Sequence, residues 1–245
     1  MAQLVLATDD TGRPEIFSSL QGEGPSAGMP VAFVRLSRCN LACVWCDTAY
    51  TWHFDGDDRP HRDGKTFGRK ANQVTLDATA VAERILALGQ KHLVITGGEP
   101  LMQAAALADL LAALPDMEIE IETNGTVKPP SHVDIRVDQY NVSPKLAHSG
   151  NAAELALIPE RLDDYAADPR AYFKFVIAQA SDVDEVLALQ ARYRFPASRT
   201  FLMPEGTDSA TLREREEWLA PLCLKHGFRM SDRLHIHLYG DTRGT

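Results

Sequence analysis

Residues 38–48 read Arg-Cys-Asn-Leu-Ala-Cys-Val-Trp-Cys-Asp-Thr and hold three of the chain's four cysteines, Cys39, Cys43 and Cys46, spaced C-x3-C-x2-C. The loop is too tight for ordinary disulfides among its members, and pairing any two would strand the third. Three thiols this close converge on one metal centre instead. A structural zinc wants four closed ligands, whereas an iron–sulfur cube held by three thiolates keeps one iron open. An open iron is a place for chemistry. A zinc knuckle completed by His53 is the competing arrangement, and the ligand counts zinc prefers speak against it.

With 245 residues the chain has room for one large α/β domain or two small ones. Its 44% apolar residues furnish a real core, and 24% charged residues is ordinary for a soluble protein. The net charge of −9 argues against a surface that grips nucleic acid through its phosphates. It leaves room for a small anionic substrate, because a local arginine can act inside a negative molecule. No apolar run approaches the roughly 20 residues of a membrane helix. The start, MAQLVLATDD, lacks the basic end and apolar run of a secretory signal. Clustered thiols without an export signal make a reducing cytoplasm the natural compartment. Cys223, beside Leu222 in a helical pattern, reads as a buried small hydrophobe.

Residues 15–20 lead into Gln21, Gly22, Glu23, Gly24 and Pro25, whose composition reads as a surface turn. Residues 31–36, Val-Ala-Phe-Val-Arg-Leu, read as a buried strand ending at the cysteine loop. Arg35 is odd there. A guanidinium on a buried strand requires an anionic partner, which makes it a candidate anchor for a carboxylate substrate. Residues 53–73 turn polar and aperiodic, and read as a long excursion between core elements; His53, His61 and its aspartates could hold a metal, but a solvated loop is the favoured reading.

A helix is expected from Thr75, its cap, to Gly89, its stop. Residues 92–96 predict a short buried strand, residues 101–114 an alanine- and leucine-rich helix, and residues 117–122 a half-exposed strand of alternating character. Strands follow at 133–137 with 140–142, at 172–177 and at 199–203, helices at 181–194 and 208–226, and a final strand at 233–238. Strands alternating with helices imply a parallel sheet with right-handed crossovers. No fixed-period repeat or dividing linker is visible, so a single domain over residues 1–245 is expected.

In parallel α/β sheets, ligands bind at the carboxyl ends of the strands. The cysteine loop follows Leu36, Gly97-Gly98-Glu99-Pro100 follows Thr96, Thr123-Asn124-Gly125 follows Glu122, and Ser143-Pro144-Lys145 follows Val142. Any one of them could be loop punctuation, but four on one edge read as the rim of an active site. Gly97 and Gly98 bare backbone groups for the amino-acid end of a bound cofactor. Glu99 offers an acceptor for an ammonium, and Ser143 and Lys145 suit ribose hydroxyls and a carboxylate.

The cysteine spacing, with Trp45 before the third thiol, resembles the radical S-adenosylmethionine (SAM) superfamily. A wider set resembles the 7-carboxy-7-deazaguanine synthase (QueE) family from about residue 15 to the C-terminus. It comprises Leu20-Gln21-Gly22-Glu23-Gly24, Arg35, Cys39-x3-Cys43-x2-Cys46-Asp47-Thr48, Thr96-Gly97-Gly98-Glu99-Pro100, Glu122-Thr123-Asn124-Gly125, Ser143-Pro144-Lys145, Leu234-His235 and Tyr239-Gly240-Asp241-Thr242-Arg243-Gly244. The cysteines specify only the superfamily, whereas the Gln-Gly-Glu-Gly turn and the Arg-Gly tail specify the family. That resemblance turns residues 21–25 from a plain turn into a site element.

The resemblance implies a partial, open (β/α) barrel with a parallel sheet. It implies a lyase that contracts 6-carboxy-5,6,7,8-tetrahydropterin to 7-carboxy-7-deazaguanine with loss of ammonia, on the route to queuosine and other deazapurines. Cys39, Cys43 and Cys46 would hold a 4Fe-4S cluster and act as the catalytic set, with SAM used catalytically and Mg2+ on Thr48. Leu20, Gln21, Gly22, Arg35, Thr96 and the terminal Thr245 would contact the pterin, with Glu23 and His235 as additions. Trp45, Cys46, Asp47, Gly98, Ser143, Pro144 and Lys145 would contact the cofactor, beside the Glu99 acceptor. A homodimer and an external flavodoxin- or ferredoxin-like electron donor are also implied. Residues 53–73 exceed what the shared core needs. The alternative is a radical SAM activase making a glycyl radical on a partner protein, with which the chain's size and cysteine motif are compatible.

Overall fold

Alternating residues along a strand point to opposite faces of the sheet, so each strand here can serve two environments at once. The computed structural model describes residues 2–245 and places ten strands in one sheet. They are β1 (Gln3–Ala7), β2 (Ile16–Leu20), β3 (Pro30–Leu36), β4 (Gln73–Asp77), β5 (His92–Gly97), β6 (Glu118–Thr123), β7 (Gln139–Val142), β8 (Ala171–Ile177), β9 (Thr200–Pro204) and β10 (Arg229–Met230). Their order is β10-β9-β8-β7-β6-β5-β3-β1-β4, with β2 paired to β3 beside that path. Neighbours from β3 to β10 run parallel, while β1, β2 and β4 are antiparallel additions at one end. No pairing joins β4 to β10 among the described residues, so the sheet is a partial, open barrel, as expected.

The helices are α1 (Arg69–Asn72), α2 (Ala78–Ala87), α3 (Ala104–Ala112), α4 (Ser131–Asp134), α5 (Ala153–Ala156), α6 (Pro159–Ala167), α7 (Asp182–Tyr193), α8 (Ser209–His226) and α9 (Leu234–Tyr239). Alanine and leucine, the strongest helix formers, fill α3. The Asp208 carboxylate caps α8 by accepting from the N–H groups of Ala210 and Thr211 at 3.0 and 2.9 Å. Val81 and Ile85 of α2, Leu107 and Leu110 of α3, Val186 of α7 and Leu219 of α8 share one core with Val34, Leu93, Ile95, Ile121, Phe173 and Phe175 of the sheet. Each such side chain contributes about 1.5–3 kcal/mol relative to exposure in water. Cys223 of α8 is part of this core, as expected.

Some elements depart from the sequence reading. Thr75 caps nothing: it lies in β4, which pairs with β1 from Gln3↔Asp77 to Ala7↔Gln73, and α2 starts after Asp77. Residues 133–137 are no strand, because Pro130 O accepts the N–H groups of Val133 and Asp134 and starts the helical turn α4. Residues 233–238 are no strand either: they fall in α9 and its cap Arg233, and the first helical N–H, that of Leu234, is bonded to Gly22 O at 3.0 Å. β6 is not half-exposed either, since Glu120 is wholly buried in the barrel interior. Residues 53–73 are largely exposed, as expected, but they are not detached from the site. They fold back over the cysteine loop, with His53 buried and its Nδ1 2.8 Å from Lys65 O.

Candidate active site

After Leu36 the chain leaves β3 and carries its thiols on a loop without regular structure. Such a loop must be held by its neighbours. Gly97 and Gly98 pass so near that a Cβ on either would lie 1.9 Å from Leu36 O or 2.0 Å from Arg38 O. Gly97 also has a left-handed φ of 136°, so side chains are excluded twice. The N–H groups of Gly98 and Glu99 donate to those two carbonyls at 3.0 and 2.9 Å. These two N–H groups therefore grip the cysteine loop rather than face a cofactor.

Asn151 donates from Nδ2 to Cys43 Sγ at 3.3 Å and accepts at Oδ1 from the Ala42 N–H at 2.9 Å. Asn124 Nδ2 donates to Asn40 Oδ1 at 2.9 Å, and the Leu41 N–H reaches Cys39 Sγ at 3.5 Å. The excursion closes the other side. Arg62 N–H donates to Val44 O at 2.8 Å, and His61 Nε2 lies 2.9 Å from Cys46 O.

All three thiols are free and line one cavity of about 490 Å³. Sulfurs around a single zinc stand about 3.8 Å apart. Among the described residues, three ligand atoms of His, Cys, Asp or Glu come within 4.8 Å of one another only at Glu216, Asp232 and His237. The three thiols therefore do not form the compact trio that one zinc ion gathers, and His53 does not line the cavity to complete a zinc knuckle. Burial pushes Cys39 up to about 12 and Cys46 up to about 11, and raises Cys43, so thiolates here need a cationic centre. Trp45 Nε1 lies buried in the same cavity wall with no partner among the described residues, a donor left for a bound group. This donor set fits a three-thiolate iron–sulfur cluster with a cofactor beside it.

The strands supply a polar wall. Arg35 of β3 lies 3.3 Å from the buried Glu15 carboxylate, which also accepts from Tyr50 OH at 2.9 Å. Thr96 OH donates to Glu122 at 2.6 Å, and Gln21 Nε2 donates to Glu120 and Glu122 at 2.8 and 3.2 Å. Glu120 accepts further from Ser26 OH and Asn141 Nδ2, each at 2.6 Å, and lies 3.1 Å from His92 Nε2.

Glu23 pairs with Lys174 and, at 3.0 Å, with Arg233. Burial alone would raise its carboxyl, but Lys174, Arg233 and His235 outweigh that and hold it below the usual range. Arg233 also pairs with Asp47 and lowers that carboxyl in the same way. Burial lowers His235, keeping its ring neutral near pH 7. Thr48 Oγ1 lies 3.5 Å from Cys46 Sγ.

Leu20, Gln21, Gly22, Glu23, Arg35, Thr96, His235 and Thr245 line this cavity, as do Trp45, Cys46, Asp47, Thr48, Gly98, Ser143 and Lys145. Glu99 and Pro144 do not. Glu99 is fully buried behind the rim, where it accepts from the N–H groups of Asn124 at 2.7 Å and Leu101 at 3.1 Å, and from Thr123 OH at 2.9 Å. Burial pushes its carboxyl up to about 7 against the pull of those bonds. Glu15, Lys174 and Arg233 escaped the sequence reading. Lys174 was findable, because it interrupts an apolar strand just as Arg35 does. Nothing local marks Glu15 or Arg233.

The Radical SAM superfamily model matches residues 34–144, from β3 to the Ser143-Pro144 turn. A 7-carboxy-7-deazaguanine synthase of Pyrobaculum aerophilum is 37% identical over 233 residues, covering 94% of this chain and 95% of that protein. One from Halobacterium salinarum is 35% identical over 264 residues, covering 94% and 91%. Among solved structures, QueE from Escherichia coli is similar with a TM-score of 0.66 and 26% identity over 95% of each chain. SuiB of Streptococcus suis, bound to S-adenosylmethionine, shares the fold at 15% identity and a TM-score of 0.52, over 82% of this chain and 49% of its own. With the thiol loop, the glycine turn and the closing tail on one cavity, the chain belongs to the 7-carboxy-7-deazaguanine synthase family of radical SAM enzymes.

Proposed function

We propose that the cavity binds 6-carboxy-5,6,7,8-tetrahydropterin beside a 4Fe-4S cluster and SAM, and that the enzyme contracts the pterin to 7-carboxy-7-deazaguanine with loss of ammonia. One observation carries the reading: three free thiols and a cation-bearing polar wall face the same cavity of about 490 Å³. Cys39, Cys43 and Cys46 would hold the cluster, which with SAM supplies the one-electron cleavage that starts the reaction. The chain's own side chains do the rest. Arg35, only partly neutralised by Glu15, offers its guanidinium to the substrate carboxylate. Gln21, Thr96 and Glu122 present a hydrogen-bonding edge suited to a pterin. Lys145 Nζ, 2.8 Å from Ser143 Oγ, stands on the cofactor side.

The overhanging residues 53–73 and the tail narrow access for water. Arg243 binds the two together, lying 3.6 Å over the Tyr50 ring and 5.6 Å from that of Phe67. Mg2+ is assigned to the Thr48 hydroxyl together with substrate oxygens, since this ion takes few protein ligands. One sheet spanning the chain supports a single catalytic domain over residues 1–245. Four free cysteines suit a reducing cytoplasm, and no helix of the described residues is long and apolar enough to cross a membrane. A homodimer and a flavodoxin- or ferredoxin-like electron donor complete the proposal. The glycyl-radical activase is not favoured, because relatives spanning nearly the whole chain are synthases.

Anaerobically reconstituted protein given SAM, Mg2+, reductant and the carboxypterin tests the proposal by chromatography. Formation of 7-carboxy-7-deazaguanine and ammonia is expected. Deoxyadenosine accumulating over unchanged pterin would refute it.

A further inference from the structure

The proposed substrate turn (residues 21–24) and the cysteine loop come from different strand ends, and neither lies in a strand or an α-helix. Something must fix the distance between them, because a misplacement of about 1 Å between reacting partners can cost on the order of a hundredfold in rate. We propose that Arg233 is the positioning residue that ties the substrate turn to the cysteine loop. This inference rests on the reading above, in which Glu23 belongs to the pterin side and Asp47 to the cluster side.

The geometry is that of a three-way clamp. Arg233 Nε donates to Glu23 at 3.0 Å, Nη2 pairs with Asp47, and Nη1 donates to Gly206 O at 2.5 Å. The side chain is only 8% exposed, so a guanidinium lacking any of these partners would pay a desolvation penalty. Among the described residues it is the side chain bonded to both Glu23 and Asp47. Asp47 sits between Cys46 and Thr48, and Glu23 follows Gln21 and Gly22, so each bond acts on a segment that faces the cavity. Glu23 is itself anchored to β8 through Lys174, and Gly206 follows β9, so the clamp refers both loops to the rigid sheet. Lysine cannot replace it, since one ammonium lacks the planar fork that reaches three acceptors.

The test uses the full chain with Arg233→Lys and Arg233→Met. In metal-free protein, hydrogen exchange should quicken in both 21–24 and 38–48 while 118–123 keeps its protection. Quickening confined to the tail would overturn the proposal. After anaerobic reconstitution, iron and sulfide per chain should match the parent in Arg233→Lys. Deoxyadenosine released per product formed should rise at least tenfold, as cofactor cleavage outlives correct substrate placement. An unchanged ratio, or cluster loss in both variants, would overturn it. Turnover by the parent protein judges the underlying reading separately, and hydrogen exchange decides the clamp even if that turnover is missing.

Discussion

Two faces of one sheet follow the same alternation and meet opposite demands. Toward the helices, Val34, Leu93, Ile95, Ile121, Phe173 and Phe175 need only complementary shape. Toward the cavity, Arg35, Thr96, Glu120, Glu122, Asn141 and Lys174 interleave with them on the same strands. That face is enclosed as well, and polar groups buried there are costly unless bonded. Glu120 shows how far the compensation goes, with Gln21, Ser26, Asn141 and His92 all turned toward it. Four buried side-chain polar atoms lack a hydrogen-bond partner among the described residues, and two of them belong to cavity-lining residues: Trp45 Nε1, and Arg35 Nε, whose 3.3 Å approach to Glu15 is an ion pair without hydrogen-bond geometry. The apolar face is finished by the fold itself, whereas the polar face is left to be finished by ligands.

Substitutions should separate the faces. Phe173→Ala, on the apolar face, should cost about 3–5 kcal/mol in urea unfolding. Refolded at low temperature, it should still incorporate iron and sulfide at the parent level. Arg35→Ala should reverse that pattern. Affinity for the carboxypterin, measured by calorimetry, should fall on the order of a hundredfold while the cluster's absorption spectrum is kept. Cluster loss would instead make Arg35 a structural support.

Glu120→Gln is subtler, because its amide N–H2 would meet four groups already arranged to donate. A loss of about 1–3 kcal/mol in stability is expected, with weaker pterin binding through Gln21. The smallest effect concerns acid. Glu23 titrates below its ordinary 4.5, so the stability it contributes is complete above that value and fades as the pH falls beneath it. Glu23→Gln should therefore flatten the dependence of melting temperature on pH below about 4.5. An unchanged acid limb would show that the Lys174 and Arg233 pairs contribute no pH-dependent stability.

Legibility followed the same division. The apolar face could be read because buried strands such as 31–36 and 172–177 are dense in β-branched and aromatic residues. The rim motifs could be read because glycine, proline and polar residues gather at strand ends. The interior could not. Glu118, Glu120 and Glu122 alternate with isoleucine whether their face meets water or an enclosed cavity, and period alone does not distinguish the two. Likewise Leu234, Ile236 and Leu238 alternate as a strand would, yet the chain turns helical because Gly22 takes the Leu234 N–H. β1 is not marked either, because Leu4, Val5, Leu6 and Ala7 form an unbroken apolar run too short for its period to distinguish a strand from a helix. The excursion has no period, and its order comes from ring packing, with Trp52 4.9 Å from His53 and His53 5.6 Å from His61.

The central claim is that Cys39, Cys43 and Cys46 hold a cluster with one corner left for SAM, beside a cavity built for a small acid. Electron paramagnetic resonance of the reduced, anaerobically reconstituted protein, before and after adding SAM, tests it most directly. A 4Fe-4S signal whose shape changes when the cofactor is added is the expected result. A signal indifferent to the cofactor, or protein that takes up zinc with neither iron nor sulfide, would contradict it.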